Sequence, residues 1–161
     1  DCLAATVMQQ KNFSKDKFKV FHPGGNIGKS LLLAKDIMVT GNKIPSIDQN
    51  KTFQEALKEM NKKKLGCVVV TNNNKISRFI SDGDLRRVLN KSTNNKKLSN
   101  IGKKNPFVIN ENMPASKSLA IMSEKKITSL LVVSDQDRNK QNKKLKGIIH
   151  IHFLIQRGID Q

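Results

Sequence analysis

The sequence contains no tryptophan, no tyrosine and only two cysteines. Cys2 and Cys67 are too few for a disulfide framework and lack metal-binding spacing, so a reducing compartment such as the cytoplasm fits. No apolar run approaches the roughly 20 residues that a membrane span needs. The start of the chain lacks the regions of a signal peptide, and it begins without methionine, in the manner of an interrupted helix. We therefore expect a fragment of a cytoplasmic protein, with no membrane partner and no bound metal or cofactor.

The formal net charge of +17 raises the question of nucleic-acid binding. The 30 basic residues comprise 25 lysines and only five arginines, and they are spread along the chain beside 17 asparagines. Neither Trp nor Tyr is available for stacking on bases, and no zinc-finger or RRM motif is present. We expect nonspecific attraction to polyanions, but no specific nucleic-acid partner.

The segment FHPGGNIGKS at residues 21–30 has some features of a phosphate-binding P-loop. A P-loop needs G-x-x-x-x-G-K-[ST], so that backbone N–H groups surround the phosphates. Counting back from Gly28, the required glycine falls on Pro23, which has no N–H and a fixed φ. Gly24 is one residue too close. The spacing therefore argues against a P-loop and favours a tight turn ahead of a helix.

Residues 50–71 and 112–133 are two copies of one pattern, and they align without a gap. Matched positions include Leu57 with Leu119, Met60 with Met122, Lys64 with Lys126 and Val70 with Val132. Each copy predicts an amphipathic helix and then a short apolar strand, CVVV or LLVV, that is continuous enough to be buried on both faces. In the first copy, Thr52 and Glu55 have the spacing of a capping box; in the second, Pro114 suits the first helical turn.

Each copy continues with a polar turn, a second strand (ISRFIS or LKGIIH) and a second helix (DLRRVLN or FLIQRG), and a short extended piece (IPSI or PFVI) precedes it. This order predicts an α/β fold of two β-α-β-β-α repeats. A unit of about 50 residues is too small to bury both faces of its sheet alone. The two repeats should therefore pack sheet to sheet about a pseudo-twofold axis, with a ligand in the cleft between them.

This repeat resembles a pair of CBS domains, the regulatory modules named after cystathionine beta-synthase. In that family the second strand runs into an S/T-x-x-D motif, which holds the phosphate and ribose of nucleotides. The matching residues are Ser81-Asp82-Gly83-Asp84. The chemistry agrees, because Ser81 can cap the helix and share its N-terminus with an anion. Asp84 can accept the hydroxyls of a cis-diol.

The second copy departs from that motif. Its matching stretch is His150-Ile151-His152-Phe153, with Phe153 at the position of the acid. In an extended chain His150 and His152 point to one face. Because no third ligand has a convincing spacing, we predict that they line the ligand cleft and do not bind a metal. Arg78 stands where the family usually has a glycine, which Gly147 retains in the second copy.

A closer resemblance covers essentially the whole chain. HPGGNIGKSLL, DIMVTGNKIPSI, SDGDLRRVL, KITSLLVV and IHIHFLIQRGI, in that order, resemble the C-terminal part of the D-arabinose-5-phosphate isomerase family. Members interconvert ribulose 5-phosphate and arabinose 5-phosphate for Kdo and lipopolysaccharide synthesis. The resemblance makes His22 a catalytic residue at the hinge, with Pro23, Gly24 and Gly25 forming the turn that aims it. A histidine suits this isomerisation because it can take and give protons near neutral pH.

The resemblance also implies three parts: the end of a sugar isomerase (SIS) domain and a linker at 1–33, a first CBS domain at 34–95 and a second at 96–161. The family's remaining active-site groups belong to the SIS domain, so we expect the chain alone to be inactive. Implied partners are that SIS domain, a nucleotide or sugar-nucleotide effector such as CMP-Kdo, and further copies of the chain. Those copies would form a dimer of CBS pairs, and a tetramer in the full enzyme.

Two other interpretations remain open. The chain could be a free-standing or purely structural CBS pair, in which case Ser81 and Asp84 would matter to no ligand. A basic nucleic-acid binder would lose affinity steeply with salt and would be insensitive to Asp84→Ala.

Overall fold

The computed structural model describes residues 31–89, 97–137, 139–140 and 143–159. The helices are α1 (Ala34–Ile37), α2 (Phe53–Lys63), α3 (Asp82–Leu89), α4 (Ala115–Lys125) and α5 (Ile151–Gln156). The strands are β1 (Ser46–Asp48), β2 (Cys67–Asn72), β3 (Lys75–Ser81), β4 (Lys103–Lys104), β5 (Val108–Asn110), β6 (Ser129–Val133) and β7 (Gly147–His150). Short 3-10 helices lie at Gly41–Lys43, Leu98–Asn100 and Asp135–Asp137. Within these ranges no helix is long and apolar enough to cross a membrane.

The first long helix of each repeat begins close to its sequence signal. Thr52 Oγ1 accepts a hydrogen bond from the Glu55 N–H (3.2 Å), and the Glu55 carboxylate accepts one from the Thr52 N–H (2.9 Å). The predicted capping box is therefore confirmed. Pro114 takes the N-cap position of α4, immediately before the first turn, and it also forms a β-bridge with Leu33 of the segment ahead of the first repeat.

The strands form two sheets, in the orders β1-β2-β3-β4 and β5-β6-β7. In each sheet the first strand runs parallel to the second, and the remaining pairs are antiparallel. Cys67–Val70 and Leu130–Val133, in the central strands β2 and β6, are at most 2% exposed. The prediction of two short strands buried on both faces is confirmed.

Alternate residues of β2 pack into two different hydrophobic cores, because successive side chains of a strand point to opposite faces of the sheet. Val68 and Val70 pack with the helices of the first repeat. Cys67 and Val69 instead pack against the second sheet, where Leu131 is one of their partners. The two repeats therefore meet sheet to sheet, and the predicted fold of tandem repeats is confirmed.

The segments ahead of the two repeats are exchanged. The first strap, residues 32–39, packs on the second repeat, where Val39 bridges Ile148 of β7 and Leu32, Ala34 and Ile37 enter the core. The second strap, residues 97–104, packs on the first repeat, where it supplies β4 and buries Leu98 and Ile101. Each sheet is thus completed by the strap that precedes the other repeat in the chain. The predicted domain limits, 34–95 and 96–161, follow the sequence repeat and stay a prediction.

A reciprocal difference in side-chain size accommodates both straps. At Gly147 of β7, a Cβ would lie 2.5 Å from Sδ of Met38 in the first strap. In the other repeat the strand carries the large residue, Arg78, and the strap carries Gly102, whose carbonyl accepts a hydrogen bond from Arg78 Nη1 (3.2 Å). The arginine at the family's glycine position therefore fits, because the glycine lies on the facing strap.

Candidate functional site

A cavity of about 370 Å³ lies between the two repeats, at the carboxyl end of β3. Its apolar lining includes Phe79, Phe107, Ile127 and Leu131. Its polar lining includes Ser81, Asp82, Asp84, Lys103, Lys126, Thr128 and Ser129. This mixture of a partly aromatic wall with a few hydroxyl, carboxylate and ammonium groups is typical of a small-molecule site.

Ser81 and Asp84, the predicted ligand residues of the first repeat, lie together in this lining. Ser81 is the last residue of β3, and Asp84 is in the first turn of α3. Asp84 Oδ2 accepts hydrogen bonds from the Ser81 hydroxyl (2.7 Å) and the Ser81 N–H (2.9 Å). The Asp84 N–H donates in return to Ser81 Oγ (3.3 Å). The motif thus caps α3 with its side chains fixed at the cavity wall.

The other carboxylate oxygen, Asp84 Oδ1, accepts a hydrogen bond from Arg87 Nη2 at 2.6 Å. Burial by itself would raise the pKa of Asp84, but the Ser81 hydrogen bonds and the Arg87 cation together hold that pKa below its ordinary value. The carboxylate is therefore charged at neutral pH. Because Oδ2 already accepts two hydrogen bonds, Oδ1 is the oxygen that can accept from a ligand hydroxyl.

The inner end of the cavity contains a contact between the two repeats. Cys67 Sγ lies 3.9 Å from Ser129 Oγ, and the two residues begin the central strands β2 and β6. Burial raises the pKa of the Cys67 thiol to about 11. The thiol stays protonated at neutral pH and acts as a weak donor to Ser129, not as a nucleophile.

Phe107 provides an aromatic surface at the cavity. Phe107 is 41% exposed, although the strand β5 that follows it contains the buried residues Ile109 and Asn110. The ammonium of Lys125 lies 4.9 Å from the centre of the ring, within the range of a cation–π contact. The ring is therefore held at the site with part of its surface available to a flat ligand.

In the second repeat, His150 takes the position of Ser81, at the end of β7 and immediately before α5. Its Nδ1 accepts a hydrogen bond from the His152 N–H (3.2 Å), and the two rings meet edge to face at 4.7 Å. Partial burial lowers the pKa of His150, and His152 lowers it further. Neither histidine is among the residues that line the cavity of Ser81, so their ligand role stays a prediction. Within the described ranges no group of three or more His, Cys, Asp or Glu residues could hold a metal ion.

The predicted hinge residues His22, Pro23, Gly24 and Gly25 lie outside the described residues. The catalytic role of His22 therefore stays a prediction.

Several residues at the site could not be predicted from the sequence. Phe107 belongs to the extended piece ahead of the second repeat, and Lys103 belongs to the second strap, so their place opposite β3 depends on long-range packing. Arg87 carries no motif signal beyond its spacing of three from Asp84, which on a helix favours an ion pair.

Comparison with known proteins agrees with this geometry. The CBS domain family matches residues 34–91 and 98–152. The "Uncharacterized protein RP505" of Rickettsia prowazekii (strain Madrid E) is 37% identical over 160 residues, which is 99% of this chain and 48% of that protein. The "Arabinose 5-phosphate isomerase KdsD" of Yersinia pestis is 33% identical over 163 residues, with the same two coverages. The chain thus spans about half the length of these relatives.

A solved structure with the same fold is the "CBS domain pair of protein MJ0100 in complex with 5 -methylthioadenosine and S-adenosyl-L-methionine". It matches 78% of this chain and 94% of its own chain, with a TM-score of 0.66 and 21% identity.

Proposed function

Because the chain belongs to the CBS domain family, we propose that it is the regulatory, nucleotide-binding pair of an arabinose-5-phosphate isomerase. The isomerase would interconvert ribulose 5-phosphate and arabinose 5-phosphate in the cytoplasm, for the supply of Kdo to lipopolysaccharide. Support for this parent comes from the isomerase of Yersinia pestis, which is 33% identical over 99% of this chain. In that enzyme His22 would act at the active site, and the CBS pair would bias the catalytic domain.

The observation that carries the nucleotide-binding part is the position of Ser81 and Asp84 at a cavity of about 370 Å³. Asp84 Oδ1 can accept a hydrogen bond from a ribose hydroxyl, and the N-terminus of α3, which Ser81 caps, suits a phosphate oxygen. Phe107 suits a base by stacking. The MJ0100 pair, named as a complex with adenosine derivatives, has the same fold.

The effector we favour is a nucleotide or sugar nucleotide such as CMP-Kdo, the activated product of the pathway. Its cytidine carries a cis-diol for Asp84, and its carboxylate and phosphate would meet Lys103 and Lys126. Feedback would follow if the effector bound the active and inactive states of the enzyme with different affinities. We further propose that copies of the chain associate, as a dimer of CBS pairs within a tetrameric enzyme.

Isothermal titration calorimetry of the purified chain with CMP-Kdo, CMP, AMP and ATP tests nucleotide binding. The Asp84→Asn variant keeps an oxygen for the Ser81 cap but removes the charge. We expect saturable binding of at least one compound, and a loss of about tenfold or more in the variant. Asp137→Asn, which changes the same charge outside the cavity lining, serves as the control. If no compound binds to the folded chain, the pair is a structural module and the effector proposal is wrong.

A further inference from the structure

A second cavity, of about 570 Å³, lies beside the amino end of β3. Within the segment 105–108, Asn105 and Val108 line this second cavity, Phe107 lines the first, and Pro106 lines both. Among the described residues, Pro106 is the only one that the two linings share. The second cavity is therefore a neighbour of the proposed nucleotide site but a separate space.

Contacts between the two repeats hold the walls of the second cavity in place. The Ile76 N–H donates to the Lys143 carbonyl oxygen (2.8 Å), and Lys75 forms a β-bridge with Lys144. The start of β3 in the first repeat is thus joined to the segment that precedes β7 in the second. Asn105 has a left-handed backbone (φ 52°), which asparagine tolerates better than most residues. These contacts do not involve a ligand, so the cavity is preformed, as small-molecule sites usually are.

The lining of the second cavity suits a ligand that carries both a phosphate and hydroxyl groups. Its polar groups come from Lys140, Lys143, Asn105 and Asn139, and its other described residues are apolar. Ammonium groups bind phosphate, and carboxamides both donate to and accept from hydroxyl groups. Among the described lining residues there is no aromatic side chain on which a base could stack, and no carboxylate that would repel an anion. A sugar phosphate therefore fits this lining better than a nucleotide does.

The charges around the second cavity identify the main contact for the phosphate. Lys140 pairs with Asp137 at 2.8 Å, so its charge is partly balanced. Lys143 has no ion-pair partner within the described residues, and the same holds for Lys75 and Lys144 on the adjoining bridge. An anion in the cavity would meet Lys143 as its principal cation, in a positive potential to which the other two lysines contribute.

We propose that the second cavity binds a sugar phosphate, with the phosphate at Lys143 and the sugar hydroxyl groups at Asn105 and Asn139. The pair would then take two different ligands in neighbouring cavities, one on each side of Pro106. This inference goes beyond the proposed nucleotide binding and does not depend on it.

Isothermal titration calorimetry of the 161-residue chain tests the site with arabinose 5-phosphate and ribose 5-phosphate. Arabinose and inorganic phosphate, titrated separately, represent the two halves of the ligand. We expect saturable binding of at least one sugar phosphate, about tenfold or more tighter than either half. Lys143→Met should weaken that binding about tenfold, because it removes the charged donor. Lys117→Met removes the same charge from an exposed position of α4 outside both linings, and it should change the affinity by less than about twofold.

A second variant tests the hydroxyl contact without disturbing the backbone. Asn105→Gly removes the carboxamide, and glycine accepts the left-handed conformation of this position. We expect it to weaken sugar-phosphate binding about fivefold. Asn73→Gly makes the same exchange at another left-handed residue (φ 48°), in the turn between β2 and β3 and outside both linings. This control should change the affinity by less than about twofold.

The Asp84→Asn variant separates this inference from the proposed nucleotide binding, and it should leave sugar-phosphate affinity within about twofold. If the affinity depends on Asp84 and not on Lys143, the sugar phosphate occupies the first cavity and the inference is wrong, whereas nucleotide binding stands. If neither sugar phosphate binds to the folded chain, the inference is wrong whatever the nucleotide titrations show. Equal affinity for inorganic phosphate would also overturn it, because the site would then hold anions without recognising a sugar. Circular dichroism verifies that each variant is folded.

Discussion

Replacing Gly147 with alanine should destabilise the protein by displacing the first strap from β7. The new Cβ would lie 2.5 Å from Met38 Sδ and 2.8 Å from the Val39 carbonyl oxygen. The end of Met38 can move, but the carbonyl is backbone. Its displacement would strain the two hydrogen bonds between Val39 and Ile148, of 2.8 and 3.1 Å. Overpacking costs about 1–3 kcal/mol and the loss of one of these two hydrogen bonds about 1 kcal/mol, so we expect a loss of about 2–4 kcal/mol in the free energy of unfolding.

Urea unfolding followed by circular dichroism measures this loss. Gly83→Ala provides the matched control, because the same methyl group there meets nothing closer than 3.7 Å. Within a helix alanine is favoured over glycine by up to about 1 kcal/mol, so this control should not be destabilised. Met38→Ala in the Gly147→Ala background should recover part of the loss. Equal stability of Gly147→Ala and wild-type chain would refute the close crossing of the strap over β7.

Three further predictions concern single side chains. Arg78→Ala should lower the free energy of unfolding by about 1 kcal/mol, because it removes the hydrogen bond to the second strap; unchanged urea unfolding would contradict this. In a Cys2→Ser background, Cys67 should react with a thiol reagent at pH 8 only after unfolding, since burial raises its pKa to about 11; rapid labelling of folded chain would count against it. The pKa of His150 is lowered in the folded state, so its contribution to stability is complete above its unfolded pKa and is lost as the pH falls through the folded pKa. His150→Asn should remove that part of the pH dependence, and an unaltered pH profile of thermal unfolding would oppose this assignment.

The helices and strands of the fold could be predicted from local sequence pattern. The repeat, the capping box of Thr52 and Glu55 and the buried strands of each copy could be predicted because spacing and apolar runs encode them directly. The exchange of the two straps could not, since nothing near Val39 in the sequence specifies a partner as distant as Ile148. Pairing between distant segments depends on the whole tertiary structure.

The candidate site divides in the same way. Ser81 and Asp84 could be predicted because their spacing is that of a known motif and also that of a helix cap. Arg87 escaped notice because an exposed arginine in a basic chain looks like an ordinary solvated side chain until the ion pair with Asp84 is seen. The sequence also could not show how Arg78 fits at a position where the family usually has glycine. The glycine that makes room for it, Gly102, lies on another segment, the second strap.

The exchange of straps has a consequence for the order in which the protein is made. The first strap leaves the ribosome before either repeat, yet its partner Ile148 is synthesised more than a hundred residues later. During translation Leu32, Ala34 and Ile37 therefore have no native core to enter, because the second repeat has not yet been made. The second strap differs, since the first repeat has already been synthesised when the second strap leaves the ribosome. Contacts between such distant segments form late because a long loop must close first. The first strap is thus among the last segments to reach its native contacts, and a nascent chain halted before β7 would keep those apolar residues exposed to chaperones and to other chains.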